Sequence, residues 1–278
     1  MSYQISVIIP TYRNPDYLDL CLRSLVPAME TGEVQVVVVV DGFPEESRDV
    51  LNSYDKYEHL HSLELDENQG MASAINLGVY NAEGGVLLIV NDDNVFPEGW
   101  WDAIKSSMPS WDYLTNLVVS INQIEPEPSI YNFPTVNCGM GPKGFDVTKF
   151  NDAVKQYSKD ELTIDGEIFP ILMLKNHFMQ VGGFDTFYKS PFFVDFDFWL
   201  KLELCGLDFG RTHATHLYHF GSRATKRGKE GAAFRASELS AATQFQYKWG
   251  FVPDIIANRA KGNSKGPSTD NVRGVVFP

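Results

Sequence analysis

The sequence predicts an α/β protein with a mixed, mainly parallel sheet, and two features of its first part support this prediction. Short apolar runs, each long enough for one buried strand, alternate with segments of helical periodicity over roughly the first 90 residues. The runs are continuously apolar, as is typical of parallel strands covered on both faces. Strands and helices that alternate in this way are joined by right-handed crossovers, so we expect helices to flank the sheet.

The first predicted elements follow one another closely. Residues 5–9 are an apolar run stopped by Pro10, which indicates a buried strand. Pro15 then stands at the first turn of a predicted helix. Its apolar residues recur at near-helical spacing, at Leu18, Leu22, Leu25 and Met29. The next predicted elements are a strand at 34–40, a strand at 60–65, a helix at 70–82 and a strand at 86–90.

The pattern becomes less regular after residue 105. The predicted elements in this part are a strand at 113–121, a Pro-rich segment at 125–128, a helix at 146–157, a strand at 168–174, an aromatic run at 192–199 and a helix at about 228–249. The last ~20 residues are rich in Gly, Asn, Lys and Ser and are predicted to be mobile.

Length and composition limit the classes of protein to consider. The chain has 278 residues, of which 44% are hydrophobic and 21% charged, so a sizeable core is expected and general disorder is not. The longest aliphatic run, at 34–40, is too short to span a bilayer, which needs about 20 apolar residues. The three cysteines are widely spaced, which favours neither a disulfide framework nor a zinc cluster. With no signal peptide at the start, we expect a soluble protein of the cytoplasm.

The charge is unevenly distributed along the chain. The formal net charge is −13, which argues against a protein that coats nucleic acid. Residues 1–210 have a net charge of −20 and residues 211–278 of +7. The basic segment is either a solvated tail or a surface for an anion such as a diphosphate or an anionic acceptor.

Polar residues follow three predicted strands, where open α/β sheets bind their ligands. Thr11, Tyr12 and Arg13 follow the first strand, Asp41 follows the second, and residues 91–94 follow the fourth. We therefore expect these side chains to meet at one rim of the sheet. The preference of polar residues for turns does not by itself explain why they follow three separate strands.

Asn91, Asp92, Asp93 and Asn94 are the clearest candidates for a metal site. Adjacent carboxylates repel each other unless a cation lies beside them. Oxygen ligands suit Mg²⁺ or Mn²⁺, which bind one or two carboxylates together with substrate phosphates. The alternative is a polar turn, in which Asn and Asp are common.

Asp41 has two interpretations of its own. It is followed by glycine, and Asp-Gly is a common turn pair, whereas a carboxylate at a strand end can also accept hydrogen bonds from a ribose or a base. Neither the glycine-rich dinucleotide fingerprint nor a P-loop is present.

The ordered set of motifs is similar to family 2 of the glycosyltransferases, which have the GT-A (Rossmann-like) fold. The first motifs are Ser6-Val7-Ile8-Ile9-Pro10-Thr11-Tyr12-Arg13-Asn14, Val38-Val39-Val40-Asp41-Gly42, Glu67-Asn68-Gln69-Gly70 with Ala74, Asn76 and Gly78, and Val90-Asn91-Asp92-Asp93. The later ones are Gly182-Gly183-Phe184-Asp185, Asp195-Phe196-Asp197 and Leu217-Tyr218-His219-Phe220-Gly221. The resemblance covers about residues 4–221. We therefore expect a GT-A domain at 1–221, with a nucleotide-sugar half at 1–105 and an acceptor half at 106–221, and a basic C-terminal extension at 222–278.

The resemblance implies roles for matched positions in the first half. Thr11 and Asp41 would hold the base and ribose, and Asp93 would bind the metal. Asn91 departs from the commonest form of the metal motif, so its part would be indirect, and Asp92 would face the ribose or the solvent. The predicted donor-binding set is completed by Tyr12, Arg13, Asn68 and Gly70.

In the second half, the resemblance makes Asp195 the catalytic base and Asp197 its supporting neighbour. The family's glutamate before this segment is replaced by Val194. The alternative for Asp195 is a helix N-cap.

Two further predictions concern the metal and the acceptor. His219 would reach the metal or the diphosphate, although a lone histidine is often structural. Trp199 belongs to an aromatic cluster that is core by default but could form an acceptor wall. Arg223 and Lys226 would close over the donor diphosphate as part of a lid, unless they belong to a solvated linker.

The resemblance thus implies a metal-dependent, inverting glycosyltransferase using Mn²⁺ or Mg²⁺ and a UDP-, GDP- or dTDP-linked sugar. The acceptor is a glycan or another hydroxyl compound, and a nucleic-acid acceptor stays open. One alternative is a nucleotidyltransferase acting on a sugar phosphate, which would carry a Gly-rich basic loop after the first strand. The other is a non-catalytic protein that binds nucleotide sugars.

Overall fold

The fold is a mixed sheet with helices on both faces. The computed structural model describes residues 4–108, 110–128, 133–164, 169–188, 191–221 and 230–251. The strands are β1 (Ile5–Thr11), β2 (Val34–Asp41), β3 (Leu60–Leu65), β4 (Val86–Ile89), β5 (Asn94–Val95), β6 (Leu117–Ile124), β7 (Leu162–Thr163), β8 (Ile171–Leu174) and β9 (Asp208–His219). The helices are α1 (Pro15–Met29), α2 (Pro44–Asn52), α3 (Met71–Asn81), α4 (Trp100–Ser107), α5 (Val147–Tyr157), α6 (Lys175–Gln180), α7 (Val194–Leu204) and α8 (Glu230–Trp249).

The sheet has two differently built wings. Its strand order is β3-β2-β1-β4-β8-β6-β9-β5, and β7 pairs with β9 at the side. We call β3-β2-β1-β4 the first wing, in which every neighbouring pair is parallel. The second wing, β8-β6-β9-β5 with β7, joins the first through an antiparallel pair between β4 and β8. The parallel pair of β6 and β9 is its longest ladder, and its other pairs are antiparallel.

Two apolar cores cover the two faces of the sheet. Alternate residues of β1 point to opposite sides, so that Ile5, Val7 and Ile9 pack against α1 and α4, while Ile8 packs against α3. The second core also contains residues of α7 and α8. This arrangement confirms the predicted α/β class and explains why the first strands are apolar throughout.

The helix α8 completes the second core. It begins close to the predicted position and ends at Trp249, and its Ala241, Phe245 and Trp249 are buried in the second core, where Phe245 packs against Phe193 and Trp249 donates to Asp197 of α7. The predicted mobile tail lies outside the described residues. The proposed domain boundary after residue 221 stays a prediction.

Asn76 of α3 links the first half of the chain to the second. Its side-chain amide donates to the Phe184 carbonyl at 2.8 Å, and its side-chain oxygen accepts from the Phe184 amide at 2.9 Å. A Cβ at Gly183, which has a φ of 68°, would lie 2.6 Å from that same oxygen. A side chain at position 183 would therefore clash with Asn76, and the glycine lets the loop approach the Asn76 amide closely.

The second half departs from the prediction in several places. The strand predicted at 113–121 begins only at Leu117, because a 3₁₀ helix, Trp111–Thr115, precedes it and is capped by Ser110. The longest strand, β9, was not predicted, since its polar residues break the apolar pattern. Within the part of the chain that is described, no helix combines the length and apolar character needed to cross a membrane.

Candidate functional site

Residues that follow β1, β2 and β4 meet at one edge of the first wing, as parallel strands require. The contacts there are specific. The Thr11 hydroxyl donates to Asp92 Oδ2 at 2.7 Å, and the Asn14 side-chain amide donates to Asp92 Oδ1 at 2.9 Å. The start of α1 is thereby tied to the loop after β4. Asn91 is half-buried, and its backbone amide donates to Asn94 Oδ1 at 3.1 Å.

Asp92 is a structural link in this geometry. Both of its carboxylate oxygens accept protein donors, and its contact with the ribose or the solvent stays a prediction. Burial, and then the neighbouring charge of Asp93, raise the pKa of Asp92 to about 7, although the bonds from Thr11 and Asn14 oppose the rise. The loop therefore concentrates negative charge at a place that favours a cation.

Asp93 and His219 come together because of strand pairing. The short strand β5 pairs with the end of β9 so that Asn94 lies opposite His219. Asp93 Oδ1 is 3.6 Å from His219 Nε2, and the side chains are only 12% and 15% exposed. On the other side of the ring, Nδ1 lies 2.9 Å from Glu125 Oε1. Three groups that are far apart in the sequence thus form one row.

This row fits a divalent cation. Two donor atoms that are each about 2.1 Å from one ion lie roughly 3 to 4 Å apart, and the distance between Asp93 Oδ1 and His219 Nε2 is within that range. No group of three or more His, Cys, Asp or Glu side chains suited to a metal occurs among the described residues. Mg²⁺ and Mn²⁺ need few protein ligands when substrate phosphates supply the others.

Asp41 has a different set of partners from the one predicted. It is 4% exposed, and its two oxygens accept the backbone N–H groups of Gln69 and Gly70 at 2.6 and 2.9 Å. These amides precede α3, so the carboxylate stabilises the start of that helix. Gly70 itself is buried, with a φ of 91°. Contact of Asp41 or Gly70 with a nucleotide stays a prediction.

Tyr12, Arg13 and Asn68 lie at the accessible part of this edge. Arg13 Nε is 2.9 Å from Glu46 Oε1, and its guanidinium lies 4.7 Å from the centre of the Phe43 ring. Tyr12 is 46% exposed and meets Phe43 edge-on. Asn68 and Phe43 line an open cleft of about 450 Å³. These exposed groups have space beside them for a base or sugar.

Asp195 lies at the start of α7, as the resemblance implied. The residue that caps this helix is Phe193, so the alternative in which Asp195 is the N-cap does not describe the structure. Asp195 is half-buried, and its Oδ1 accepts the Phe196 backbone N–H at 2.9 Å. Phe193 has a φ of 62°, a strained conformation for a bulky residue that is typical of functional loops.

Two predicted substrate residues are instead part of the protein interior. Asp197 has no exposed surface and accepts the Trp249 indole N–H at 2.8 Å, with Lys248 Nζ at 2.7 Å. Trp199 is 2% exposed and packs against Phe169 and other rings of the second core. The prediction of substrate contact is wrong for both, because α7 is buried around most of its circumference and both side chains lie in the interior.

Four residues are still to be compared with the structure, two of which were predicted as site residues and two of which were not. Arg223 and Lys226 lie outside the described residues, so the lid stays a prediction. Glu125 and Asn14 were not predicted as site residues. Asn14 stood beside Thr11 in the first motif, but Glu125 lay in a Pro-rich segment that gave no signal.

Comparisons with known proteins show which family and which solved structures the chain resembles. Residues 6–119 match the family described as glycosyl transferase family 2. The chain is 23% identical over 195 residues to glycosyltransferase GlyA of Streptococcus pneumoniae, a match that covers 70% of this chain and 26% of that protein. The chain spans between 26% and 61% of the length of the first curated relatives it matches.

Solved structures share the fold. S. aureus TarS 1–349 in complex with UDP-GlcNAc matches with a TM-score of 0.59 and 17% identity, covering 87% of this chain and 66% of that chain. Mannosyltransferase PcManGT from Pyrobaculum calidifontis, in complex with GDP-Man and Mn²⁺, matches with a TM-score of 0.58 and 16% identity, covering 95% and 70%. At these identities, the likeness establishes the fold alone.

Proposed function

Since residues 6–119 match glycosyl transferase family 2 and the chain has the GT-A fold, we propose that it is a metal-dependent, inverting glycosyltransferase. It moves a sugar from a nucleoside-diphosphate sugar to an acceptor hydroxyl. The observation that carries this proposal is the position of Asp93 and His219, whose Oδ1 and Nε2 atoms lie 3.6 Å apart beside the strand ends.

Asp93 and His219 would hold the metal, with the donor diphosphate completing its coordination. When bound, Mn²⁺ or Mg²⁺ neutralises charge on the leaving diphosphate. Asp92 would keep the loop in place through Thr11 and Asn14, whose bonds to its two oxygens fix the backbone beside Asp93. PcManGT, a neighbour in fold, binds GDP-Man together with Mn²⁺, which supports a divalent metal in this protein.

Asp195 is the proposed general base. Its carboxylate takes the proton of the acceptor hydroxyl, whose oxygen attacks the anomeric carbon from the side opposite the diphosphate. The bond from that carbon to the diphosphate oxygen breaks, so the anomeric configuration is inverted. The strained Phe193 and the bond from the Phe196 amide hold Asp195 at the helix start.

The donor would place its base near Asn68, which lines the open cleft with Phe43, and near the exposed Tyr12 and Arg13, whose side chains contact Phe43. UDP-, GDP- and dTDP-linked sugars are all candidates, since the neighbours in fold bind UDP-GlcNAc in one case and GDP-Man in the other. For the acceptor, we propose only that it is a compound with a hydroxyl group.

A donor screen tests this function. The protein is incubated with UDP-, GDP- and dTDP-sugars, with Mn²⁺ or with a chelator, and release of the nucleoside diphosphate is measured. We expect metal-dependent release from one donor. Binding of a donor without any release would favour the non-catalytic alternative, and release of pyrophosphate from a nucleoside triphosphate and a sugar phosphate would favour a nucleotidyltransferase.

Asp93→Ala should abolish the metal-dependent release, because it removes the carboxylate that lies beside His219 Nε2. The residue lies at a rim, so the circular dichroism spectrum should be unchanged. Asp152→Ala, which removes an exposed carboxylate on α5, is the matched control and should retain full turnover. Near-normal turnover of Asp93→Ala would show that the metal assignment is wrong.

A further inference from the structure

We propose that Glu125 is a positioning residue that fixes the ring of His219 with Nε2 directed at the metal. This inference rests on the proposed function, since it concerns the same site. Glu125 Oε1 lies 2.9 Å from His219 Nδ1, and both side chains are largely buried, with 14% and 15% exposed. The carboxylate therefore accepts the Nδ1–H, which leaves Nε2 without a proton and able to act as a ligand.

This tautomer fits the row formed by Asp93, His219 and Glu125. With the proton on Nδ1, the Nε2 lone pair is 3.6 Å from the Asp93 carboxylate, and two acceptors at that distance favour a cation near both. A histidine that binds a metal almost always donates its other ring N–H to a carboxylate, a carbonyl or water. Glu125 supplies that acceptor from the position directly after β6.

Strand register places Glu125 beside the histidine. The parallel ladder of β6 and β9 pairs Ile124 with Tyr218, and Glu125 and His219 each follow by one residue. The backbone of Glu125 is held on both sides, since its N–H donates to the Pro134 carbonyl at 3.0 Å and its carbonyl accepts from Val136 at 2.9 Å. The carboxylate is thus fixed before any ligand binds.

The expected effect follows from the usual contribution of such partners. Removing the acceptor of a ligating histidine costs about 10- to 100-fold in metal affinity, because the ring then samples other orientations and tautomers. Glu125→Gln keeps an oxygen that can accept the Nδ1–H but removes the charge, so it should lose less than Glu125→Ala does.

The first test is a titration of the full chain with Mn²⁺ alone, in which free Mn²⁺ is measured by electron paramagnetic resonance. We expect the dissociation constant to rise about 10- to 100-fold in Glu125→Ala and less in Glu125→Gln. The matched control is Glu127→Ala, since Glu127 is an exposed glutamate two residues further on, and it should bind like the parent. In a His219→Ala background, Glu125→Ala should add almost nothing, because Glu125 acts through the histidine.

The outcomes separate the inference from the proposed function. If Asp93→Ala weakens Mn²⁺ binding but Glu125→Ala does not, the role of Glu125 is wrong and the metal site stands. If Asp93→Ala also binds Mn²⁺ like the parent, the metal dependence of the proposed function fails as well.

A second measurement needs no variant and no metal. Nitrogen-15 spectra of the histidine-labelled parent report which ring nitrogen of His219 carries the proton. We expect the proton on Nδ1 in the metal-free protein and its partial transfer to Nε2 in Glu125→Gln. A parent with the proton on Nε2, or a doubly protonated ring at neutral pH, would overturn the inference even if Glu125→Ala failed to fold.

Discussion

The two wings of the sheet are stabilised in different ways. In the first wing, the parts of β1, β2 and β4 that pair with one another are almost wholly aliphatic and are buried on both faces. In the second wing, β6 and β9 bury many polar side chains, at Ser120, Asn122, Gln123, Arg211, Thr212, Thr215 and His216. The first wing therefore depends mainly on apolar burial, whereas the second also depends on satisfied hydrogen bonds.

The buried polar groups of the second wing bond to each other and to distant parts of the chain. The Asn122 side chain lies 2.9 Å from His213 Nδ1, and the Gln123 side-chain amide donates to the Phe169 carbonyl. The Ser158 hydroxyl lies 3.3 Å from His216 Nδ1. Such networks fix one arrangement because an unsatisfied buried polar group is costly. The buried polar residues inside the second wing are therefore structural.

The largest expected effect comes from comparing two carboxylates of one motif, Asp197 in the interior and Asp195 at the proposed site. Asp197→Ala removes the acceptor of Trp249 and the carboxylate beside Lys201, and it leaves Lys248 with Asp185 as its remaining carboxylate partner. We expect it to lower the free energy of unfolding by about 3 to 5 kcal/mol, as measured by urea denaturation. Asp195→Ala, two residues earlier on the same helix, should lose less than about 1 kcal/mol.

Equal losses for these two variants would contradict the contrast between an interior and a functional carboxylate. A small loss for Asp197→Ala would show that α8 is held mainly by Ala241, Phe245 and Trp249, without a contribution from the ion pair.

The next largest expected effect concerns activity and comes from a substitution of Asp195 alone. Asp195→Asn keeps the shape of the side chain but cannot accept the acceptor's proton. Transfer should fall by about 100-fold or more, equivalent to about 2.7 kcal/mol in the barrier, while donor binding stays unchanged. Turnover and donor affinity are measured separately, and a parallel loss in both would indicate a structural role at the start of α7.

The fold of the first wing could be predicted from the sequence because its signals are local. Residues 5–9 and 34–40 are apolar and bounded by turn residues, and the predicted bounds differ from those of β1 and β2 by at most two residues. The second wing could not be predicted in the same way. Its longest strand carries Arg211, His213 and His216, and such a sequence is recognised as a strand only when its distant partners are known.

The candidate site was predictable where a motif and a strand end coincide. The structure brings Thr11, Asp92 and Asp93 together as the parallel order requires, and His219 joins them through pairing of β9 with β5. Glu125 could not be predicted because its role depends on the register of β6 against β9. Burial could not be predicted either, since sequence spacing alone did not show that the Asp197 side chain faces the interior.

A smaller expected effect concerns the pH dependence of stability, and it tests the buried polar groups of the second wing. Burial, followed by the nearby His213, lowers the pKa of His216 to about 4 from its usual 6.5. The unfolded chain therefore binds a proton before the folded protein does, so this contribution to stability is present above about pH 6.5 and is lost as the pH falls toward 4. Between pH 7 and pH 5, the parent should lose about 2 kcal/mol through this residue.

His216→Asn tests this assignment, because the amide can replace Nδ1 as a partner of Ser158 but does not titrate in this range. Urea denaturation at pH 7, 6 and 5 should give a flatter pH profile than that of the parent. An unchanged slope would mean that other groups cause the acid sensitivity.

The smallest effect returns to the first wing, where packing and not polar bonding should decide stability. Gly84 and Gly85 are neighbours in the loop before β4, but a Cβ at Gly84 would lie 2.7 Å from backbone atoms of Ile5 and Ser6, whereas one at Gly85 would meet no atom within 4 Å. Gly84→Ala must push β1 away from the loop and should cost at least about 1 kcal/mol, while Gly85→Ala should stay within about 0.5 kcal/mol of the parent. Both are measured by urea denaturation at pH 7. Because the two variants add the same methyl group one residue apart, equal stabilities would show that the loop adapts to the extra atom, and the close packing inferred for the first wing would then not extend to this edge of β1.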